Sequence, residues 1–371
     1  MDSTIHDHFD SLIDPRLERT KKHPLINILF IAISAVICGA ETWVSIERFA
    51  KSKEEWLSLF LNLENGIPSH DTFNRVFAIL DTHAFNECFI SWIEKIASKA
   101  KDVVSIDGKA MRATKNNIET EGPLYLVNAW CSANQLVLGQ IPVDVKSNEI
   151  TAVPKLLDLL ELKDATVTTD AMGCQKEIVK KIREKEAHYV LALKGNQGQF
   201  HDDISLFLKS LENDKVKAKY EYHKTIDGGH GRIETREYWT TDTLDWLENK
   251  SNWRDLKTAT MVKSIREIQS ETSVEYRFYI SDHMLKDFKK IGSAIREHWQ
   301  VENCLHWSLD VNFNEDRWRS KLGNCAPSMG LINKIALNLL KNEKSAKVGV
   351  KTKRLMTGWD EQYLLKVLGA V

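Results

Sequence analysis

The sequence predicts a mixed α/β protein with an all-helical start and a later all-β segment, and three observations predict it. Apolar residues recur at helical spacing as far as about residue 100. The period then shortens to that of strands, and strand-like runs are interleaved with amphipathic helices. From about 215 to 285 the pattern is all strand, after which helical spacing returns.

Taken in order, His23-Pro24 introduces an apolar run, Leu25 to Ala40, and proline is well tolerated at a helix start. The run contains Asn27 and Ser34 and falls short of the roughly 20 residues that span a bilayer, so it reads as a core helix. Helical spacing continues through Trp43, Ile46, Phe49, Trp56 and Phe60, breaks at Gly66-Ile67-Pro68, and resumes after Ser69, which is suited to cap the next helix. A helix from His83 to Ala100 completes a helical N-terminal domain, 1–100. Val103 to Asp107 is a strand that ends in an acid; Tyr125 to Cys131 and Leu136 to Val143 form a hairpin about Ser132-Ala133-Asn134. A helix from Ile150 to Leu162, a strand from Thr166 to Asp170 that again ends in an acid, a helix from Cys174 to Lys185 and a strand from Tyr189 to Leu193 follow. The order β-β-β-α-β-α-β makes 101–214 a sheet with helices on its faces. Strands at Tyr220 to Ile226, Ile233 to Thr241, Thr258 to Glu267 and Val274 to Ile280 make 215–285 a β-rich segment, with a glycine-rich turn at Asp227-Gly228-Gly229-His230-Gly231. Helices from Lys286 to Leu309 and Ala326 to Leu340 occupy 286–342, and 343–371 reads as a basic tail with a short helix.

The composition, 43% apolar and 28% charged, is that of a soluble globular chain. A formal net charge of -1 gives no support to a nucleic-acid partner, so local features must carry any such reading. The six cysteines are scattered without a C-x-x-C pair, which argues against a structural zinc site and fits a reducing cytosol. Met-Asp-Ser-Thr begins no basic and apolar leader, so a cytoplasmic protein is expected.

Asp107 and Asp170 each close a strand, where α/β sheets gather ligand-binding groups. Two carboxylates brought together repel unless a cation neutralises them. Mg²⁺ takes hard oxygen ligands, one or two carboxylates plus substrate phosphate. Two such ions about 4 Å apart can activate a water or a hydroxyl and stabilise the leaving oxygen of a phosphodiester, with Asp107 bridging them. Each aspartate alone reads equally as a turn or helix-cap residue. Gly108, Ala171 and Gly173 leave room beside the acids for a backbone phosphate. A third carboxylate is sought in Arg296-Glu297-His298-Trp299-Gln300-Val301-Glu302, where His298, Glu302 and His306 share roughly one helix face. A solvated helix with an ordinary Glu–His pair is the alternative.

Ser105-Ile106-Asp107-Gly108-Lys109, Thr168-Thr169-Asp170-Ala171 and His298-Trp299-Gln300-Val301-Glu302-Asn303 with Leu305-His306-Trp307 resemble the three catalytic blocks of the H-repeat-associated transposases, which are insertion-sequence DDE transposases. Gly66 to Phe73, Leu193 to Gln197, His230 to Arg236, Asp310-Val311 with Glu315-Asp316, and Ala336-Leu337-Asn338 extend the resemblance over almost the whole chain. It implies a ribonuclease-H-like mixed-sheet core, the β-rich segment being an insertion between the second aspartate and the glutamate. It implies Asp107, Asp170 and Glu302 as a metal triad for two Mg²⁺ ions, with Mn²⁺ as a substitute. It also implies double-stranded DNA as partner, both as terminal inverted repeats and as target. The helical domain would then bind DNA ends or dimerise, with a homodimer in the synaptic complex, in a bacterial cytoplasm at the nucleoid. Related transposases carry Tyr, Arg and Lys seven and four residues before the glutamate and seven after it; here those positions hold Ile295, His298 and Leu309.

His298, Arg296 and Lys194 are therefore the candidates to replace that phosphate clamp, and Arg232 and Arg319 are further DNA-backbone candidates, each with a solvated face or turn as the alternative. Trp299 and Trp307 flank Glu302; core packing is the expectation, base stacking the alternative. Lys341, Lys344, Lys347, Lys351, Lys353 and Arg354, against the single acid Glu343, read as an electrostatic DNA contact or a solubilising tail. Two competing functions stay open: an inactive DNA-binding relic, and a metallohydrolase using His298, Glu302 and His306.

Overall fold

The computed structural model of the chain describes residues 8–96, 103–115, 122–143, 148–213, 215–229, 231–268 and 271–369. Residues 97–100 of the predicted helix and His230 of the glycine-rich turn lie outside the described residues. Helices α1 (Leu25–Ile37), α2 (Trp43–Ser52), α3 (Glu54–Leu57), α4 (His70–Ile79) and α5 (Thr82–Ile96) come first. They lead to β1 (Val103–Met111), β2 (Leu124–Cys131), β3 (Leu136–Pro142), α6 (Glu149–Leu159), β4 (Thr166–Thr169), α7 (Lys176–Glu184), β5 (His188–Leu193) and α8 (Gln199–Glu212). Then come β6 (Tyr220–Gly229), β7 (Arg232–Thr241), β8 (Thr258–Ile268), β9 (Glu271–Ser281) and α9 (Phe288–Gln300). A π-helical turn (Val301–His306) joins α9 to α10 (Trp307–Phe313), and α11 (Cys325–Asn342), α12 (Val350–Trp359) and α13 (Glu361–Val367) follow.

The strands form one sheet in the order β3-β2-β1-β4-β5-β9-β8-β7-β6. β4 runs parallel to both β1 and β5, whereas β2–β3, β5–β9 and the hairpins β6–β9 are antiparallel. This is the mixed-sheet core that the resemblance implies. The β-rich segment extends the same sheet, because β9 pairs with β5 through Leu191↔Ile280 and Leu193↔Phe278.

The chain divides into two compact units, Met1–Lys99 with Gly108–Asn148 and Glu302–Val371, and Ala100–Asp107 with Glu149–Val301. In the second unit the parallel strands are buried on both faces, as parallel strands usually are; every residue of β4, Thr166-Val167-Thr168-Thr169, is buried. On one face Ile291, Ala294 and Ile295 of α9 pack with Val103, Val190, Tyr238, Val262 and Tyr279.

In the first unit α1 and α11 are apolar on nearly every side and buried over almost their whole length, the pattern of core helices. No helix among the described residues is long and apolar enough to cross a membrane. Ser69 caps α4 as expected, accepting a hydrogen bond from the Thr72 backbone at 3.3 Å. The basic C-terminal segment is not a free tail. Lys353 and Arg354 are buried: the Lys353 ammonium donates to the carbonyls of Leu340 and Glu343, and the Arg354 guanidinium donates to the Val36 carbonyl at 2.8 Å and lies over the Phe313 ring. Both cations are consumed by helix ends, which carry unsatisfied carbonyls.

Glu343 anchors the same segment, accepting from Ser345 and from the Tyr363 hydroxyl at 2.8 Å beside the Lys353 ammonium. Burial alone would push its carboxyl up, but hydrogen bonds from Ser345, Tyr363 and Ala346 outweigh it and hold the pKa at about 2. A depressed carboxylate stabilises the fold above its ordinary pKa, 4.5 here, and the contribution is lost as pH falls toward 2. Wild type should therefore melt above Glu343→Gln at pH 7, with the gap closing between pH 4.5 and pH 2. A gap independent of pH would exclude this origin.

Candidate active site

β1 and β4 are paired in parallel from Val103↔Thr166 to Ile106↔Thr169. Asp107 and Asp170 are the next residue on each strand, so the register sets them side by side on neighbouring strands, which lie about 4.8 Å apart. β4 stops at Thr169, so Asp170 stands at a strand end as predicted, but β1 continues through Asp107 to Met111. What ends at Asp107 is its pairing with β4, not the strand.

Alternation along β1 puts Val103, Ser105, Asp107 and Lys109 on one face. On the paired strand Thr168 lies on the same side, since its hydroxyl donates to the Ser105 hydroxyl at 3.1 Å. α9 covers this face: His298 Nδ1 lies 3.0 Å from the Thr168 hydroxyl, and Ile295, one turn earlier, packs with Val103. Burial pushes the His298 imidazole down to about 4, against the opposing pull of Asp170. At neutral pH the ring is uncharged and offers hydrogen bonds, not the positive charge of an arginine.

Asp170 Oδ1 accepts from the backbone N–H groups of Met172 at 3.0 Å and Gly173 at 3.1 Å, which fixes the carboxylate over its own turn. Gly173 does not make room for a phosphate. A Cβ there would lie 2.6 Å from Thr169 Cβ, so the space is already filled by the Thr169 side chain. The turn is braced from the loop after β5: the Asn196 amide donates to the Ala171 carbonyl at 2.8 Å and Gln197 to the Cys174 carbonyl at 2.7 Å. Sequence reading marked Asn196 and Gln197 only as part of a block and gave them no role. It also passed over Glu149, at the start of α6, whose carboxyl is pushed up by burial and by the charge of Asp170.

Glu302 is exposed, two residues beyond the end of α9 and inside the π-helical turn. The π turn breaks the i, i+4, i+8 spacing, so His298, Glu302 and His306 do not share a regular helix face. π turns of this kind are frequent at functional sites. Among the described residues no three His, Cys, Asp or Glu side chains stand close enough to hold one ion. That holds for His298, Glu302 and His306, and equally for Asp107, Asp170 and Glu302. The paired aspartates still offer the hard oxygen donors that suit Mg²⁺, which needs only one or two carboxylates with substrate phosphate.

Lys194 is exposed just past the carboxyl end of β5. Arg232 and Arg319 are exposed, and Arg296 reaches Asp227 at 4.0 Å. Trp299 is half-buried under the Arg277 guanidinium, 4.5 Å from its ring centroid. Trp307 departs from the core expectation: it is 56% exposed, on the outer face of the turn after the π segment.

Residues 98–339 match the family described as "Transposase DDE domain", and residues 6–93 match "DDE_Tnp_1-associated". The chain belongs to the DDE transposase family. Its curated relatives include "Putative transposase YncI" of Escherichia coli O157:H7, 39% identical over 99% of this chain and 95% of that protein. They also include "H repeat-associated putative transposase YhhI" of Escherichia coli K12, 39% identical over 98% and 97%. A piggyBac transposase chain, solved as a synaptic complex with hairpin DNA, matches at TM-score 0.45 and 10% identity over 95% of this chain and 74% of that chain, too weak a likeness to carry an argument.

Proposed function

We propose that this member of the family cuts and joins DNA at the ends of its own element, with Asp107, Asp170 and Glu302 holding two Mg²⁺ ions. The observation that carries this reading is the register Ile106↔Thr169, which makes the two aspartates neighbours on parallel strands. Glu302 is added because its block, His298 to Trp307, lies within the matched transposase domain and resembles the third catalytic block of the H-repeat-associated transposases.

When bound, the ions would activate a water or 3′-hydroxyl and stabilise the leaving oxygen. The chain's own residues do the rest. The Met172 and Gly173 N–H groups hold the Asp170 carboxylate oriented. Neutral His298 locks α9 to β4 through Thr168. Lys194, Arg232, Arg296 and Arg319 are the DNA-backbone candidates, and the protein acts on paired ends as a homodimer at the bacterial nucleoid. No enzyme nucleophile is required, because water and the freed 3′-hydroxyl supply both attacks.

The test is strand cleavage of duplex DNA carrying the element's terminal repeats, with Mg²⁺ or Mn²⁺ and with EDTA. Metal-dependent 3′-hydroxyl ends, followed by strand transfer, are expected. DNA binding without cleavage under every metal condition would instead identify an inactive relic.

A further inference from the structure

Lys109 lies two residues past Asp107 on the same face of β1 and is buried. A lone lysine in a buried strand is costly unless paired. Its ammonium meets three carboxylates, Asp310 at 2.6 Å and Glu315 and Asp316 at 3.2 Å each. All four residues belong to the first compact unit. Glu315 is itself buried and also meets the fully buried Lys334 at 3.4 Å, while Arg112 Nε meets Asp316 at 3.3 Å. Three cations thus face three anions. Burial alone would push the Lys109 ammonium down, but Glu315, Asp310 and Asp316 outweigh it and keep it charged.

The acids all come from one short stretch. Asp310 is on α10 and Glu315 and Asp316 are on the turn that follows it, on the run that begins at Glu302. Apolar packing would join a strand to a helix at less desolvation cost, but it tolerates sliding; a multiply bonded ammonium fixes register.

We propose that Lys109 is a positioning residue for the carboxylate centre: by gripping Asp310, Glu315 and Asp316 it fixes β1 against the helical run that carries Glu302. This rests on the reading of Asp107, Asp170 and Glu302 as metal ligands. Asp107 is covalently two residues away, about 7 Å along the strand, so any slip at Lys109 moves its carboxylate. A misplacement of about 1 Å can cost about a hundredfold in rate.

The test uses the full chain bound to end-sequence DNA, with Mn²⁺ binding followed by electron paramagnetic resonance and cleavage followed in parallel. Lys109→Met should weaken Mn²⁺ binding about tenfold or more and slow cleavage about a hundredfold. Asp310→Asn, on a half-exposed partner, keeps the fold and should shift Mn²⁺ affinity in the same direction. Leu208→Ala, a buried position in α8, is the stability control and should leave Mn²⁺ affinity within about twofold of wild type despite its lower Tm. Wild-type affinity and rate in Lys109→Met and Asp310→Asn would overturn the proposal alone, as would an equal affinity loss in Leu208→Ala. Wild type that takes up no Mn²⁺ would overturn the carboxylate centre and this proposal with it.

Discussion

Asp107→Asn, Asp170→Asn and Glu302→Gln should each lower metal-dependent cleavage of end-sequence DNA by about a thousandfold or more, the loss of roughly 4 kcal/mol of transition-state stabilisation. The amides keep shape and remove charge, so folding should survive. In Asp170→Asn the side-chain amide oxygen can still accept from Met172 and Gly173, whose N–H groups hold the turn. DNA affinity should stay within about threefold, because duplex binding is driven by phosphate contacts elsewhere. Residues that act as one unit are non-additive. The double substitution of Asp107 and Asp170 should therefore be no worse than either single one. Gel assays of cleavage and binding on the same preparations check both halves. Full cleavage by any one of the three would remove that residue from the site.

The largest stability effect should come from Gly323→Ala. Gly323 adopts φ +46, and a Cβ there would stand 2.2 Å from the Ala78 carbonyl oxygen. That oxygen cannot retreat freely, since it accepts from the Asn324 backbone at 2.9 Å. The same loop is tied to the middle of α4 by Ser320 on Asn74 and to its C-terminal cap by Asn324 on the Leu80 carbonyl. Left-handed backbone and a backbone clash together should cost about 3 kcal/mol or more, lowering Tm by roughly 5–10 °C. Gly228→Ala, with open space and an ordinary φ, is the control and should stay within about 0.5 kcal/mol.

Much of this was legible in the sequence because strands and helices write their periods locally. β1 to β5 and the four later strands fall where alternation and apolar runs put them, and the acids of β1 and β4 stand out because each follows a buried run. The pairing that joins β9 to β5 was not legible, since strand partners far apart leave no local mark. The π turn at Glu302 was also invisible: its residues include no glycine or proline to mark a break. Lys353 and Arg354 looked like surface charge because residue type cannot tell a solvated cation from one closing a helix end. Lys109 carried a usable signal that was passed over, a lysine at an inward position of a strand whose other inward positions include Val103, Ser105 and Met111.

The first compact unit is assembled from three stretches of chain, with residues 325–367 packed among helices that are translated first. On the ribosome the stretch from Ala100 to Val301 contains every residue of the second unit, together with Gly108–Asn148 of the first. The first unit must wait until residue 354 has been made, because the carbonyl of Val36 is met by Arg354. A gene broken in its last third would therefore yield a chain whose opening helices have no partner and whose apolar faces stay open to aggregation and proteolysis. Completeness of translation is thereby coupled to the existence of a folded first unit.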